Sequence, residues 1–192
     1  MFSYIRPAVI FIAIFTLLTG IIYPLALTGV SQLIVASQAN GSLIRRDGHV
    51  VGSALIGQTF TSDRYFHGRP SAAGKAGYDA MASSGSNLGP LSKSLMERVR
   101  ADVSTLPQAG ASVIPADAVT TSASGLDPDI SQAFAALQIT RVAAARGVPE
   151  DRVRDIVNKQ TDRPSLGFAG EPRVNVLLLN LALDEAFKAG AG

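Results

Sequence analysis

The sequence predicts an α+β fold, with one N-terminal transmembrane helix followed by a single mixed domain of helices and a small sheet. Three observations predict it. No charged residue falls between Pro7 and Val30. Asp47-Gly48 separates two short runs fit for strands, and from Pro90 onward apolar residues recur at helical spacing.

The apolar stretch justifies the anchor. About 24 residues at a helical rise of about 1.5 Å cover ~36 Å, more than a hydrocarbon core of about 30 Å. A cleaved signal is the competing reading, because Met1 to Arg6 is a short basic leader and Ser37-Gln38-Ala39 resembles a small-residue cleavage site. The stretch exceeds the roughly 7–15 apolar residues of a signal core, which favours a retained anchor. Arg6 lies beside one end, whereas Arg45 and Arg46 lie well past the other. The positive-inside tendency then puts residues 1–6 in the cytoplasm, residues 7–30 in the bilayer and residues 31–192 outside. Pro24 removes a backbone donor within the span and predicts a kink that neighbouring helices make tolerable. Thr16 and Gly20, four apart, form a small patch where another helix could approach; a lone anchor with incidental small residues fits them equally.

Beyond the anchor, Leu43 to Arg46 and His49 to Val51 flank Asp47-Gly48, a pair that accepts the positive φ of a type I′ turn and so predicts a hairpin. Ala54 to Ile56 is expected to extend that sheet. From Thr59 to Gly89 the chain turns rich in Gly, Ser, Ala, Asn and Pro, with Tyr65, Phe66, Tyr78 and Met81 as scattered anchors. Its aromatic residues argue for an ordered, functional loop. Pro90 opens a helix in which Leu91, Leu95, Val99 and Val103 form a stripe. Ser104 to Ser112 reads as a linker, and Ala116 to Thr121 as a short helical turn. Asp127-Pro128 supplies a cap and first-turn proline for a helix running to Arg146, buried along Ile130, Phe134, Leu137 and Val142 and stopped by Gly147. Pro149 starts another helix through about Gln160, with Val153, Ile156 and Val157 inward. A last helix spans Val174 to Lys188, interrupted by Asn175 and Asn180, with Gly190 beyond its end. Its apolar run covers only about 15 Å, so it is a core helix rather than a second span.

Composition narrows the functions. The net charge is +2, from 17 basic and 15 acidic residues, which leaves no concentrated field for nucleic acid. Without cysteine there is no disulfide and no thiolate chemistry. Gly68 to Gly74-Lys75-Ala76 misses the phosphate-loop pattern in spacing and in the hydroxyl that follows the lysine, and reads as a flexible loop. An anchored outer domain also suits a periplasmic serine hydrolase of penicillin-binding type, in which a lysine follows the nucleophile by three; here Ser71 and Lys75 are four apart in a loop. His49 and His67 stand in no metal-ligand pattern. Asp127 and Asp129 read as a cap and a first-turn charge rather than paired catalytic carboxylates. The clusters Ser83-Ser84-Gly85-Ser86-Asn87 and Thr121-Ser122-Ala123-Ser124-Gly125 suit turns and protein contacts.

Several long motifs in order then carry a resemblance. Gly52-Ser53-Ala54-Leu55-Ile56-Gly57-Gln58 with Phe60, and Tyr65-Phe66-His67-Gly68-Arg69-Pro70-Ser71, resemble the C-subunit family of Kdp-type potassium-transporting ATPases. So do Tyr78-Asp79, Ser84-Gly85-Ser86-Asn87-Leu88-Gly89-Pro90, Ser122-Ala123-Ser124-Gly125-Leu126-Asp127-Pro128 and Val174-Asn175-Val176-Leu177. One departure is Asp129, where the family often has histidine. The resemblance implies an accessory, non-catalytic subunit of a high-affinity potassium importer of the bacterial inner membrane. Its implied partners are a potassium-conducting A subunit, an ATP-hydrolysing B subunit, a small F peptide and membrane lipid. No cofactor is implied as tightly bound. The family is described as a catalytic chaperone that raises the ATP affinity of the B subunit, and Gln138 is the natural candidate for that role. The predicted topology separates an outer domain from cytoplasmic ATP, so such an effect would have to be allosteric. Helix-face packing, or a hydrogen bond to Arg141 three residues on, is the structural alternative for Gln138.

Overall fold

The computed structural model describes residues 2–106, 113–164 and 170–187. The chain divides into two compact units, residues 1–51 and 52–192.

The first unit is a long apolar helix and a hairpin. Helix α1 (Ile5–Leu17) and helix α2 (Tyr23–Ile34) are joined by a π-helical turn, Leu18–Ile22. Together they make a continuous helix, Ile5–Ile34, that is longer than the predicted 7–30 and long and apolar enough to cross a membrane. None of its hydropathy-rich stretch is buried within the protein, as a lipid-facing helix requires. Thr16 and Gly20 are exposed on it. The short helix α3 (Ala36–Ala39) follows, then strands β1 (Leu43–Arg46) and β2 (His49–Ser53), which pair. Asp47 and Gly48 both have positive φ, +51° and +81°, as the predicted turn demands. Ala54 to Ile56 does not extend this sheet: the chain turns there, with the Ser53 hydroxyl accepting from the Leu55 N–H.

The second unit has a core of three helices on a three-stranded sheet. Helix α4 (Lys93–Thr105) begins three residues later than Pro90 suggests, because the Ser92 side chain caps it by accepting from the Leu95 N–H. Leu91 therefore lies outside the helix, 92% exposed, while Val99 and Val103 pack on the core. Residues 107–112 of the expected linker lie outside the described residues; Ser104 and Thr105 are helical. A 3-10 turn, Ala116–Ala118, stands after Pro115 as expected.

Strand β3 (Asp129–Ser131), helix α5 (Gln132–Arg146), helix α6 (Glu150–Lys159), strand β4 (Thr161–Asp162), strand β5 (Arg173–Asn175) and helix α7 (Val176–Ala186) complete the unit. The sheet order is β3-β5-β4, antiparallel throughout, with Ile130 opposite Val174 and Asp162 opposite Arg173. This sheet overturns two expectations. Residues 129–131 are extended, so the cap of α5 is Ser131, whose hydroxyl accepts from the Phe134 N–H, and Asp127 is not a helix cap. Residues 173–175 are extended as well, so α7 starts at Val176, with the Asn175 side chain accepting from the Leu178 N–H. Lys188 and Gly190 lie outside the described residues. Gly147 ends α5 in the left-handed conformation at φ +67°, where its lack of a side chain avoids strain.

The core is formed by Phe134, Ile139 and Val142 of α5, Val153 and Val157 of α6, and Leu179 and Leu183 of α7, with Ile130 and Val174 from the sheet. Leu137, expected in that stripe, is only partly buried, and Ile139 takes the inward place. Phe66, which belongs to no helix or strand, is fully buried among these residues.

Candidate functional site

Residues 54–92 contain one 3-10 turn, Ala80–Ala82, and otherwise no regular element. Buried backbone groups need partners, and a segment without a ladder must find them elsewhere. Here the partners are side chains.

The Asn180 amide, on α7 and 2% exposed, accepts from the Phe66 N–H at 2.8 Å and donates to the Phe66 carbonyl at 2.9 Å. The Gln138 amide, on α5 and 3% exposed, does the same for the next residue, accepting from the His67 N–H at 2.8 Å and donating to its carbonyl at 3.0 Å. Each amide thus imitates one rung of a β-ladder. Two arginines extend the row. Arg141 donates to the carbonyls of Asp63 and Tyr65, and Arg146 to that of Arg64. The His67 ring reaches the Ser62 carbonyl at 3.2 Å. Every carbonyl from Ser62 to His67 is therefore held by a side chain.

The holding groups are themselves held. Arg141 donates to the side-chain amide oxygen of Gln138 at 2.8 Å, the bond that the i, i+3 spacing suggested. The guanidinium of Arg146 bonds Asp184 at 3.0 Å and lies over the Tyr65 ring at 5.2 Å, while the Tyr65 hydroxyl donates to the same Asp184. Burial, with Arg141 close by, holds the His67 ring below its usual pKa and favours the neutral form.

A second strip, residues 122–128, collects the remaining motifs. The Gly57 N–H donates to the Leu126 carbonyl, the Ser84 N–H to that of Ser124, and the Ser83 hydroxyl to Ser124 as well. Arg69 pairs with Asp127 at 2.8 Å, and the other Asp127 oxygen accepts from the Asp129 N–H. The Ser71 hydroxyl donates to the Gly125 carbonyl and accepts from the N–H groups of Ala73 and Tyr78. A side chain at Gly57 would stand 2.6 Å from the Asp127 carbonyl oxygen and from the Tyr78 ring, so only glycine fits there. The Tyr78 hydroxyl donates to the Arg69 carbonyl, and burial, reinforced by the Asp127 charge, pushes its pKa up to about 12. The segment read as a flexible loop is thus tied down: Ala73 is fully buried, and the Asp79 N–H donates to its carbonyl.

Other singled-out residues fall at the margins. Pro70 and Ser86 are partly buried, and Asn87 is exposed with φ +51°. Asn175 caps α7 and also donates to the Ala54 carbonyl. The spacing of Asn175 and Asn180 shows them only as breaks in an apolar run; that each was a hydrogen-bonding centre left no mark in the sequence.

The chemistry available follows from these contacts. Ser71 has the partners of a turn-locking hydroxyl, and Lys75 is exposed; among the described residues no acid or base is hydrogen-bonded to Ser71. The geometry therefore does not favour a serine hydrolase. Gln138 is largely committed. Its oxygen accepts two hydrogen bonds and its nitrogen donates one, which leaves a single N–H on a side chain only 3% exposed. An open cavity of 540 Å³ lies along Arg69, Asp117, Asp127, Asp129, Glu171 and Arg173. Its arginines already pair with Asp127 and Asp129, and four carboxylates around it repel a triphosphate. Burial raises the pKa of Asp129 there, partly offset by Arg173. The residues lining this cavity do not fit ATP.

Helix Ile5–Ile34 and the unit that follows define a class: a membrane-anchored α+β protein with a single candidate span among the described residues. The family model described as K+-transporting ATPase, c chain (KdpC), matches residues 5–185. Relatives named potassium-transporting ATPase KdpC subunit include one from Caulobacter vibrioides (strain NA1000 / CB15N), 60% identical over 97% of this chain and 95% of the relative. One from Gemmatimonas aurantiaca is 58% identical over 96% of this chain and 94% of the relative. Another, from Rhodopseudomonas palustris (strain BisB18), is 52% identical over 97% of this chain and the relative's full length. The chain belongs to the KdpC family, the C subunit of the Kdp potassium-transporting ATPase.

Proposed function

We propose that this chain works as an accessory subunit that assembles and stabilises the Kdp pump from the outer face of the bacterial inner membrane. Its partners in this reading are the potassium-conducting A subunit, the ATP-hydrolysing B subunit, the small F peptide and surrounding lipid. The observation that carries it is the division of labour along the chain. An apolar helix with no side chain buried inside the protein precedes a unit whose polar groups are spent on holding its own loops. Such a chain is equipped to be placed and to present a surface.

A chaperone effect on the B subunit's ATP affinity then runs through shape. Gln138 fixes His67, and residues 62–67 are the element whose position a partner would sense. The effect is allosteric: a contact that favours one conformation of the B subunit changes its affinity for ATP by the same coupling free energy.

Producing the A, B and F subunits without this chain tests the assembly role. Potassium-limited growth and co-purification of A with B are both expected to fail; normal transport and assembly would contradict the reading. Protease added outside sealed right-side-out vesicles is expected to degrade residues 52–187 and spare the span.

A further inference from the structure

The chain that follows the span is built of small and polar residues, Ala36 to Ser42, a composition that leaves a linker flexible where nothing ties it. Here the backbone is tied residue by residue. The N–H groups of Val35, Ala39, Asn40, Gly41 and Ser42 donate to the carbonyls of Ser31, Val35, Ala36, Gln38 and Ser37 respectively. Gly41 and Ser42, at φ +84° and +49°, then turn the chain into strand β1.

One break interrupts this connector, at Val35, whose φ of −136° and ψ of 47° end α2 and separate it from α3. A reciprocal pair of amides bridges the break. Asn40 Nδ2 donates to Gln32 Oε1 at 2.9 Å, and Gln32 Nε2 donates to Asn40 Oδ1 at 3.2 Å, between residues eight apart in the chain. Asn40 Nδ2 also donates to the Ala36 carbonyl at 2.7 Å, so one side chain grips the helix before the break and the one after it. Two hydrogen bonds side by side resist a twist that a single bond would allow. At the end of a span they stand in surroundings less polar than bulk water, where such bonds are stronger.

We propose that Gln32 and Asn40 are positioning residues: their paired amides fix the direction in which the chain leaves the span for the hairpin of β1 and β2, and this chain's effect on the B subunit's ATP affinity depends on that joint being stiff. An allosteric effect needs contacts that differ between two states, and a surface that swivels on its anchor favours neither. The proposal rests on the allosteric reading above and deepens it by naming the joint on which it depends. Unchanged ATP affinity after removal of the whole chain would contradict that reading; the variants below keep the chain and alter one contact.

Complete A, B, C and F complexes carrying Gln32→Leu, Asn40→Leu or both are compared with the unaltered complex in KM for ATP, kcat and the amount of this chain retained. The full chain has no native cysteine, so spin labels at Leu17→Cys and His49→Cys, in lipid nanodiscs, report the spread of distances between span and hairpin with and without the same substitutions. Each single variant is expected to broaden those distances and to raise KM for ATP roughly threefold, with kcat and retention unchanged. The double variant is expected to do no more than Asn40→Leu alone, because both substitutions remove the same contact. A purely local packing role would lower stability without moving KM. Distances as narrow as in the unaltered chain would overturn the proposal. So would broadened distances with an unchanged KM, additive effects of the two substitutions, or loss of the chain from the complex, which would make the pair an attachment rather than a positioning contact.

Discussion

Two regions of the second unit meet at the buried Phe66 and are built on opposite principles. The core of α5, α6 and α7 packs apolar stripes, and its backbone groups pair within helices and the small sheet. The segment from Ser62 to His67 has no ladder, and its carbonyls are met one by one by His67, Arg141, Arg146, Asn180 and Gln138. Order in the first region is spread over many small contacts. In the second it rests on a few polar side chains, so single substitutions there should act like core mutations although they remove no apolar volume.

The sharpest way to break this comparison is at Phe66, which belongs to both regions. Phe66→Ala should cost about 3–5 kcal/mol, read from chemical denaturation of the detergent-solubilised chain. Asn180→Leu comes next. It keeps the volume but strands the N–H and carbonyl of Phe66, at about 1–3 kcal/mol for each buried group, so a total near that of Leu179→Ala is expected. If Asn180→Leu proves neutral while Leu179→Ala is costly, the two regions are not equivalent.

Titration offers a smaller effect. Tyr78 has a folded pKa of about 12 against an ordinary 10.0, so the folded state holds its proton more tightly than the unfolded state. Its contribution is complete below pH 10 and is lost as pH rises from 10 to about 12, on the order of 2 kcal/mol. Tyr78→Phe should flatten the alkaline fall in stability over that window. The smallest effect belongs to the exposed pair Arg154 and Glu150, 3.9 Å apart on α6. Arg154→Ala should change stability by less than about 0.5 kcal/mol.

The same contrast explains what could be read from the sequence. The hairpin at Asp47-Gly48, the stop at Gly147 and the start of α6 after Pro149 are local signals, complete within a few residues. Strands β3 and β5 carry no such signal. Each is three residues long, runs straight into a helix, and exists because Ile130 meets Val174 across the fold. Asp127-Pro128 looks like a helix start for that reason, yet its carboxylate serves Arg69 and the Asp129 N–H. In the clamp, only the bond from Arg141 to Gln138 lies within one helical turn. Gln138 and His67 are 71 residues apart, and Asn180 and Phe66 are 114 apart, so composition suggested an ordered loop without showing what orders it. The long span was legible throughout, because length and absence of charge are sufficient to mark it.

The central claim is that Gln138 matters to the pump through the segment it holds. The most direct test compares the apparent ATP affinity of assembled complexes carrying Gln138→Ala or Asn180→Ala. These residues stand on different helices and share only the clamped segment. Both variants are expected to lower ATP affinity to a similar degree; a loss with Gln138→Ala and none with Asn180→Ala would contradict the account.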